Sequence, residues 1–158
     1  MCGPTVYDLS HMGHARTYIS QDLIRRIMTD YFGYNVKLVM NITDIDDKII
    51  IRSNERNIDF TKISRDMETE FLIDCESLNI RKPTVITRVS EFVPEIVDFI
   101  KKIIDNGYAY ESNGSVYFDV AKYSQAEGHT YAKLSPTSLG DLELLAEGEG
   151  SLTSGNAT

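Results

Sequence analysis

Hydrophobic positions along the first half of the chain fall into two patterns, a helical spacing and short apolar runs, and each pattern predicts its own kind of element. The pattern predicts, in order, a short strand that feeds a loop, a helix over 14–32, a buried strand over 35–41, a helix that begins near 44 and a helix over 61–78. Apolar residues three or four positions apart mark the helices, whereas the segment 35–41 is short, apolar and partly β-branched. Strand, helix and strand in this order form a βαβ unit, the building block of an α/β fold with a parallel sheet.

The second half of the chain changes from one period to the other. After Lys82-Pro83 the pattern predicts a brief extended segment at 85–86, a helix over 90–106 and then a hairpin. The hairpin is indicated because the apolar period becomes two on both sides of Asn113-Gly114, a dipeptide typical of tight turns. We expect the helix to bury a stripe of aliphatic side chains, namely Val93, Ile96, Val97, Ile100, Ile103 and Ile104.

Composition places the chain among globular proteins, since 42% of its 158 residues are hydrophobic and 25% are charged. No apolar run approaches the roughly 20 residues that a membrane-spanning helix needs, so we expect no membrane association. Only two cysteines are present, Cys2 and Cys75, and no signal peptide is apparent, which excludes a secreted disulfide scaffold. The net charge of −8 is unfavourable for binding a phosphate backbone, so we expect no DNA partner. If the protein binds another nucleic acid, we expect most of the binding residues to lie outside this chain.

His11-Met12-Gly13-His14 stands where the first predicted loop turns into a helix. The start of a helix offers unpaired backbone N–H groups and a positive dipole, which suit an anion such as a phosphate. Two imidazoles on either side of a glycine add hydrogen-bond donors around a gap that a flat ring or a phosphate can approach closely. The pattern therefore favours a nucleotide phosphate; a histidine pair that caps the helix at the surface, and one that binds zinc, are the alternatives.

Two further patterns have both a chemical and a structural interpretation. Asp44, Asp46 and Asp47 form an acidic triplet that would suit a metal, but acids in the first turn of a helix ordinarily complement its dipole, with Thr43 or Asp44 as the N-cap. A set of tyrosines flanks the predicted hairpin, namely Tyr108, Tyr110, Tyr117 and Tyr123. They have no interleaved Lys or Arg, which favours packing over a platform for stacking nucleic-acid bases.

Three blocks of sequence stand out when they are taken together. They are Cys2-Gly3-Pro4-Thr5-Val6-Tyr7-Asp8, His11-Met12-Gly13-His14-Ala15-Arg16-Thr17 and Asn41-Ile42-Thr43-Asp44-Ile45-Asp46-Asp47-Lys48. Their combination resembles cysteinyl-tRNA synthetase, a family of class I aminoacyl-tRNA synthetases. In that family His-Met-Gly-His is a variant of a His-Ile-Gly-His signature, whose histidines contact ATP and stabilise the transition state and whose glycine lets adenine pack. The resemblance assigns catalysis to His11 and His14, and ATP binding to Thr5, His11, Gly13 and His14.

The resemblance also implies an architecture, a Rossmann-like parallel α/β sheet that is the first half of a class I catalytic core, with the pocket at the carboxyl ends of its strands. It divides the chain into 1–107 for the nucleotide-binding core, 108–146 for the beginning of an inserted connective segment, and 147–158 for a tail. The tail is rich in Gly, Ser, Thr and Asn, so we expect it to be flexible. The Lys-Met-Ser-Lys-Ser type loop and the anticodon-binding domain of the family do not occur in this sequence, so we expect an inactive fragment.

By the same resemblance Cys2 is a zinc ligand, and the zinc would bind the thiolate of substrate cysteine and so distinguish it from serine. The resemblance places the other ligands, a cysteine, a histidine and an acid, after residue 158. Cys75 lies on an apolar helical stripe and His129 lacks a metal-ligand spacing, so we expect both to be structural or surface residues. The adenylate pocket is assigned to a set of small residues, namely Gly3, Thr5, Thr17, Asn41 and Thr43. An N-cap role for Thr43, and a hydrogen bond from Thr17 to its own helix, are the structural alternatives.

The implied activity belongs to a longer, cytoplasmic protein. It would activate cysteine with ATP and Mg²⁺ to cysteinyl-adenylate and then transfer the cysteinyl group to tRNA(Cys). Two alternatives share the same motifs. One is a related ATP-dependent ligase that gives cysteine to the sugar amine of an aminoglycoside; the other is a nucleotide-fold module that binds without turnover.

Overall fold

A computed structural model describes residues 1–134 of the chain, which forms two compact units. We call Met1–Phe92 unit 1 and Val93–Thr158 unit 2. The assigned tail at 147–158 and the end of the assigned segment 108–146 lie outside the described residues. The boundary at 107 between the nucleotide-binding core and the inserted segment stays a prediction.

Unit 1 alternates extended segments and helices in the order that the hydrophobic pattern predicts. Its elements are α1 (Met12–Arg26), which continues as a π-helical turn (Ile27–Tyr31), β1 (Val39–Ile42), α2 (Asp47–Arg56), α3 (Phe60–Ser77), β2 (Val85–Arg88) and a short 3-10 turn (Val89–Glu91). The first helix begins at Met12 rather than at 14, and the first strand begins at Val39 rather than at 35.

The sheet of unit 1 is parallel, which confirms the α/β prediction. β1 and β2 pair in register from Val39↔Val85 to Ile42↔Arg88. The amino-terminal segment lies along the other side of β1 through a parallel bridge between Thr5 and Thr43. In this bridge the Val6 N–H donates to the Thr43 carbonyl and the Thr43 N–H donates to the Pro4 carbonyl, each at 3.1 Å.

Gly3 allows the amino-terminal segment to approach β1 this closely. A Cβ atom at this position would lie 1.7 Å from the carbonyl oxygen of Asn41. No real Cβ tolerates such a contact, so any side chain at position 3 must push the two segments apart. Only a glycine is compatible with the observed spacing.

The core of unit 1 lies between one face of the sheet and the helices. Its buried apolar residues are Val6, Tyr18, Met40, Ile42, Ile49 and Phe71. Tyr18 of α1 meets Phe71 of α3 edge to face at a centroid distance of 5.0 Å, a favourable aromatic geometry. The expectation of a buried strand over 35–41 holds for Met40 and is wrong for Val39, which lies on the opposite face and is 46% exposed.

Charged groups inside unit 1 are paired. Glu68 of α3 is buried and accepts hydrogen bonds from the Arg88 guanidinium at the end of β2. Asp22 of α1 is buried too; it accepts from Arg26 at 2.6 Å and from the backbone N–H of Arg81 at 3.2 Å. An unpaired buried charge is costly, so both carboxylates need these partners. The two contacts connect α3 to the end of β2 and α1 to the segment that precedes β2.

Unit 2 consists, in its described part, of two helices and a hairpin. The elements are α4 (Val93–Asp105), β3 (Ala109–Ser112), β4 (Ser115–Phe118) and α5 (Val120–Gln125). The hairpin is confirmed: β3 and β4 are antiparallel, and Asn113 and Gly114 have φ values of 52° and 79°, as a type I′ turn requires. The sequence pattern did not predict α5.

Aromatic rings pack against one another at the base of this hairpin. Tyr123 lies 5.3 Å from Tyr108, 5.2 Å from Phe118 and 4.7 Å from His129, measured between ring centroids. The packing interpretation of the tyrosines therefore agrees with the structure.

The expectation that α4 buries its aliphatic stripe is wrong, because no residue of α4 is buried.

Candidate functional site

The carboxyl ends of the parallel segments of unit 1 lead into the residues that the sequence singles out. The amino-terminal segment ends at the Thr5–Thr43 bridge, and the loop 7–10 then carries the chain to His11 at the start of α1. β1 ends at Ile42 and is followed by Thr43. Parallel strands bring their carboxyl ends to one edge, which is where ligands of open α/β sheets bind.

His11 and His14 close the first turn of α1 with their own side chains. His11 is the N-cap residue, and its Nδ1 accepts from the backbone N–H of Gly13 at 3.0 Å. In return, the Nδ1 of His14 accepts from the backbone N–H of His11 at 3.2 Å. This is the reciprocal arrangement of a capping box, with imidazoles in the places usually taken by Ser or Thr and by Glu. The capping alternative is thus part of the geometry.

The caps assign the tautomer of both rings from their hydrogen-bond partners. An Nδ1 that accepts from an N–H carries no proton, so in the neutral imidazole the proton is on Nε2. The two rings stack with their centroids 4.0 Å apart and their planes 29° from parallel. Burial, and secondarily the charge of His11, lower the pKa of His14. The pair therefore presents two Nε2–H donors side by side at the amino end of a helix.

Gly13 leaves the space in which the His11 ring lies. A Cβ atom on Gly13 would be 2.8 Å from Cε1 and 2.9 Å from Nδ1 of His11. A side chain there would displace the ring and break the bond from the Gly13 N–H to His11. The glycine is thus required by the cap itself, apart from any ligand that packs over it.

A cavity of about 410 Å³ opens beside the two imidazoles. It is lined by Ser10, His11, Met12, His14, Ala15, Tyr18, Phe71, Asp74, Cys75, Ser77, Leu78 and Ile80. Burial, assisted by the Asp74 carboxylate, raises the pKa of the Cys75 thiol to about 11. Burial likewise raises the pKa of the Tyr18 hydroxyl to about 12. The Cys75 thiol and the Tyr18 hydroxyl in this lining are therefore uncharged at neutral pH.

The residues assigned to the adenylate pocket occupy neighbouring segments of unit 1. Asn41 Oδ1 accepts from the Gly3 N–H at 3.1 Å, so the side chain that would bind a ligand also ties β1 to the amino-terminal segment. Thr5 and Thr43 face each other across the parallel bridge. Thr17 is on α1 and donates its hydroxyl to the Gly13 carbonyl at 3.0 Å, which is the structural alternative named for it.

The acidic triplet separates into different local roles. Asp46 is the N-cap of α2 and accepts from the Lys48 N–H at 2.9 Å, so the expectation of Thr43 or Asp44 as the cap is wrong. Asp44 is 4% exposed and accepts from both the backbone N–H and the hydroxyl of Ser90. This carboxylate fastens the 3-10 turn after β2 to the end of β1. The helix-dipole interpretation agrees with the geometry for Asp46 at the cap and Asp47 in the first turn of α2, and it is wrong for Asp44, which lies before the helix and binds Ser90 instead.

Cys2 lies on the amino-terminal segment with an exposed thiol. Within residues 1–134 no three His, Cys, Asp or Glu side chains converge in a way that could hold a metal ion. An exposed thiol can serve as one ligand of a zinc site, which ordinarily needs about four. The described residues therefore offer a single candidate ligand and no complete site.

An ion pair that holds the loop before His11 has no counterpart among the predicted site residues. Asp8, in the loop 7–10, forms an ion pair with Arg52 of α2. The sequence carries no local signal for this pair, because the partners are 44 positions apart and neither lies in a periodic pattern with the other.

In the part of the chain that the structure describes, no helix is both long and apolar enough to cross a membrane.

Comparison with known proteins gives a consistent result over nearly the whole chain. Residues 1–156 match the family model described as tRNA synthetases class I (C) catalytic domain. The chain is similar to the cytoplasmic cysteine--tRNA ligase of Dictyostelium discoideum, with 61% identity over 99% of this chain and 23% of that protein. It is 55% identical to the cysteine--tRNA ligase of Encephalitozoon cuniculi over 79% of this chain and 26% of that protein. The human cytoplasmic cysteine--tRNA ligase is 36% identical over 96% of this chain and 34% of that protein. The chain thus spans about a quarter to a third of the length of these relatives.

Proposed function

The chain belongs to the family of class I tRNA synthetase catalytic domains of the cysteine type, and from this premise we propose that it is the histidine-bearing part of a cysteine--tRNA ligase. The substrates of the proposed enzyme are cysteine, ATP and tRNA(Cys). The reaction forms cysteinyl-adenylate and pyrophosphate and then transfers the cysteinyl group to the tRNA. The names of the relatives favour this activity over the aminoglycoside-directed alternative. The cytoplasmic location proposed here rests on the same names.

The observation that carries the proposal is the paired presentation of two Nε2–H donors by His11 and His14 at the start of α1. In the activation step the cysteine carboxylate attacks the α-phosphorus of ATP and pyrophosphate leaves. Negative charge builds on the phosphate oxygens as this happens. Donors that are held in place before the reaction stabilise such charge without reorganising. The capping box provides this, because each ring is fixed by a backbone hydrogen bond at its other nitrogen.

The pKa shift of His14 has a consequence for its donor role. A lowered pKa keeps the ring neutral over more of the physiological range, so its Nδ1 stays free to accept the cap bond. Protonation of Nδ1 would replace that acceptor with a donor that faces the His11 N–H. The cap therefore requires the neutral ring, which still donates through its Nε2–H.

Thr5, Thr17, Asn41 and Thr43, with Gly3, are proposed to contact the adenylate, and ATP is proposed to enter with Mg²⁺. Cys2 is proposed as one zinc ligand, with the remaining ligands contributed by other residues of the longer protein. A zinc bound there would select the substrate by its affinity for a thiolate rather than a hydroxyl. In a Cys2→Ser variant of an active, zinc-containing chimera we expect loss of zinc and of cysteine activation; one zinc per chain retained would exclude Cys2 as a ligand.

The activity test uses a chimera in which residues of this chain replace the 156 matched residues of the Dictyostelium discoideum ligase. We expect the chimera to catalyse cysteine-dependent exchange of pyrophosphate into ATP. His14→Gln keeps a capping-box side chain at its position but removes the imidazole, whereas His14→Ala removes both. Each variant should lower turnover by roughly 10²- to 10³-fold, which is the effect of losing one oxyanion donor. Only His14→Ala should also lower the melting temperature. Full turnover in His14→Gln would show that the imidazole of His14 is not needed for the reaction.

A further inference from the structure

The loop 7–10 leads into His11, and few polar contacts hold it. The hydrogen bond from the Val6 N–H to Thr43 is the last one between the amino-terminal segment and the end of β1. The first bond of the helix cap is the one from the His11 N–H to His14. Between these two points, Tyr7 packs against the core of unit 1, and the described charged contacts that reach another element both go to α2. They are the ion pair between Asp8 and Arg52 and the Lys48 ammonium over the Tyr7 ring, 5.5 Å from its centroid.

The two oxygens of Asp8 perform different tasks. Oδ1 accepts from the backbone N–H of the next residue, Leu9, at 2.9 Å, which fixes the side chain against the loop backbone. Oδ2 accepts from Nη2 of Arg52, which joins the loop to α2. A single carboxylate thus connects the backbone just before the catalytic turn to a helix elsewhere in unit 1.

Arg52 is suited to this role because its own position is constrained. Its guanidinium lies 3.7 Å from Glu55 on the same helix, and its side chain is 30% exposed. α2 is anchored one turn earlier by Ile49, which is completely buried, and at its start by the Asp46 cap. The loop is therefore attached to a helix that is itself anchored in the core.

We propose that Asp8 and Arg52 are a positioning pair, which sets the place of the His11 imidazole through the loop 7–10. The proposal rests on the proposed function, since His11 is taken as a donor in adenylate formation. Neither residue touches the substrate. Exposed ion pairs contribute little to global stability, so the pair's effect should be on geometry and turnover rather than on the melting temperature.

A double-mutant cycle in the chimeric ligase tests the proposal. Asp8→Asn keeps an oxygen for the Leu9 N–H but removes the charge, and Arg52→Met removes the guanidinium. Each change should lower kcat by roughly 10- to 100-fold, the effect of a small misplacement of a catalytic group, with KM for ATP changed by less than about twofold. The double variant should be no worse than either single one, because the two residues act as one unit. Arg52→Lys should restore part of kcat.

The matched control is the exposed ion pair between Lys62 and Asp66 on α3, which has an N–O distance of 2.8 Å and no contact with the loop. Lys62→Met and Asp66→Asn should leave kcat unchanged. Unchanged kcat in Asp8→Asn and Arg52→Met, additive losses in the double variant, or equal losses in the control pair would each overturn the proposal.

A second readout does not depend on activity. In the 158-residue chain, hydrogen exchange at the amides of Leu9, His11 and Gly13 should accelerate at least about tenfold in Asp8→Asn, while amides of α3 keep their wild-type rates. Unchanged exchange at these three amides would refute the positioning role. If the wild-type chimera shows no cysteine-dependent exchange, the proposed function fails, and the amide rates still decide whether the pair holds the loop.

Discussion

Unit 1 and the described part of unit 2 differ in burial much more than in hydrophobic pattern. α4 has the most strongly amphipathic sequence among the longer helices, yet none of its residues is buried, and Phe99 is 64% exposed. In unit 1, by contrast, Ile42 and Ile49 are completely buried. The comparison teaches that an apolar stripe predicts a helix and the direction of its apolar face. It does not predict burial, which needs a second surface at the right distance.

The two units also use aromatic residues differently. Tyr18 of unit 1 is buried, packs on Phe71 from a separate helix and donates its hydroxyl to the Cys2 carbonyl at 3.3 Å. The rings of unit 2 that surround Tyr123 come from a short stretch around the hairpin and form a local cluster. Because its aromatic contacts join separate segments, we expect a substitution in one element of unit 1 to affect the packing of another.

The largest expected effect is the loss of core volume in unit 1. Ile42→Ala should reduce the free energy of unfolding by about 2–5 kcal/mol, since it empties a fully enclosed site. Ile100→Ala, on the half-buried side of α4, should cost less than about 1.5 kcal/mol because solvent already reaches that helix. Urea unfolding of the two variants measures both values. A larger loss for Ile100→Ala would remove the contrast between the units.

Glycine substitutions sharpen the comparison with a somewhat smaller effect. Gly3→Ala should destabilise unit 1 by about 1–3 kcal/mol through the collision with Asn41, and Gly3→Asn by at least as much. Gly114 in the unit 2 hairpin has open space around it and a φ of 79°, so Gly114→Ala should cost about 1 kcal/mol. Gly114→Asn should recover most of that loss, because Asn adopts the left-handed region more readily. Equal behaviour of the Asn variants at both positions would contradict the steric explanation for Gly3.

Amide hydrogen exchange compares the two units without a mutation. The amides of Met40 and Ile42 in β1 and of Phe71 in α3 should exchange more slowly than those of Ile100 and Ile103 in α4, by about tenfold or more. The physical reason is that opening α4 exposes little surface that is not already solvated. The hydrophobic pattern alone favours the opposite order. Slower exchange in α4 would show that the hydrophobic pattern predicts amide protection better than the burial seen in the structure.

The smallest effect concerns charges on the surface of unit 1. Hydrogen bonds from Arg81, and then from Thr29, lower the pKa of Asp30 to about 2. A carboxyl whose pKa is lowered by folding stabilises the folded state above its unfolded pKa of about 3.9, and that contribution is lost as the pH falls towards 2. The urea midpoints of wild type and Asp30→Asn should therefore differ slightly at pH 6 and converge near pH 2. A difference that is independent of pH would assign the effect to the shape of the side chain.

The sequence by itself determined the features that depend on neighbouring residues. The helices of unit 1, the Asn113-Gly114 turn and the position of His11 at a helix start all follow from spacing and turn chemistry over a few positions. The family resemblance also comes from the sequence alone, because it rests on three short contiguous blocks of residues. These features need no knowledge of what lies across the fold.

The tertiary structure alone decided which distant residues meet. Gly3 against Asn41, Asp8 with Arg52 and Asp44 with Ser90 join positions about 40 residues apart. No periodicity links such pairs, since their proximity results from the parallel pairing of segments and the packing of helices over them. The same reason explains α4, whose sequence specifies an apolar face, whereas the arrangement of surrounding surfaces decides how far that face is buried.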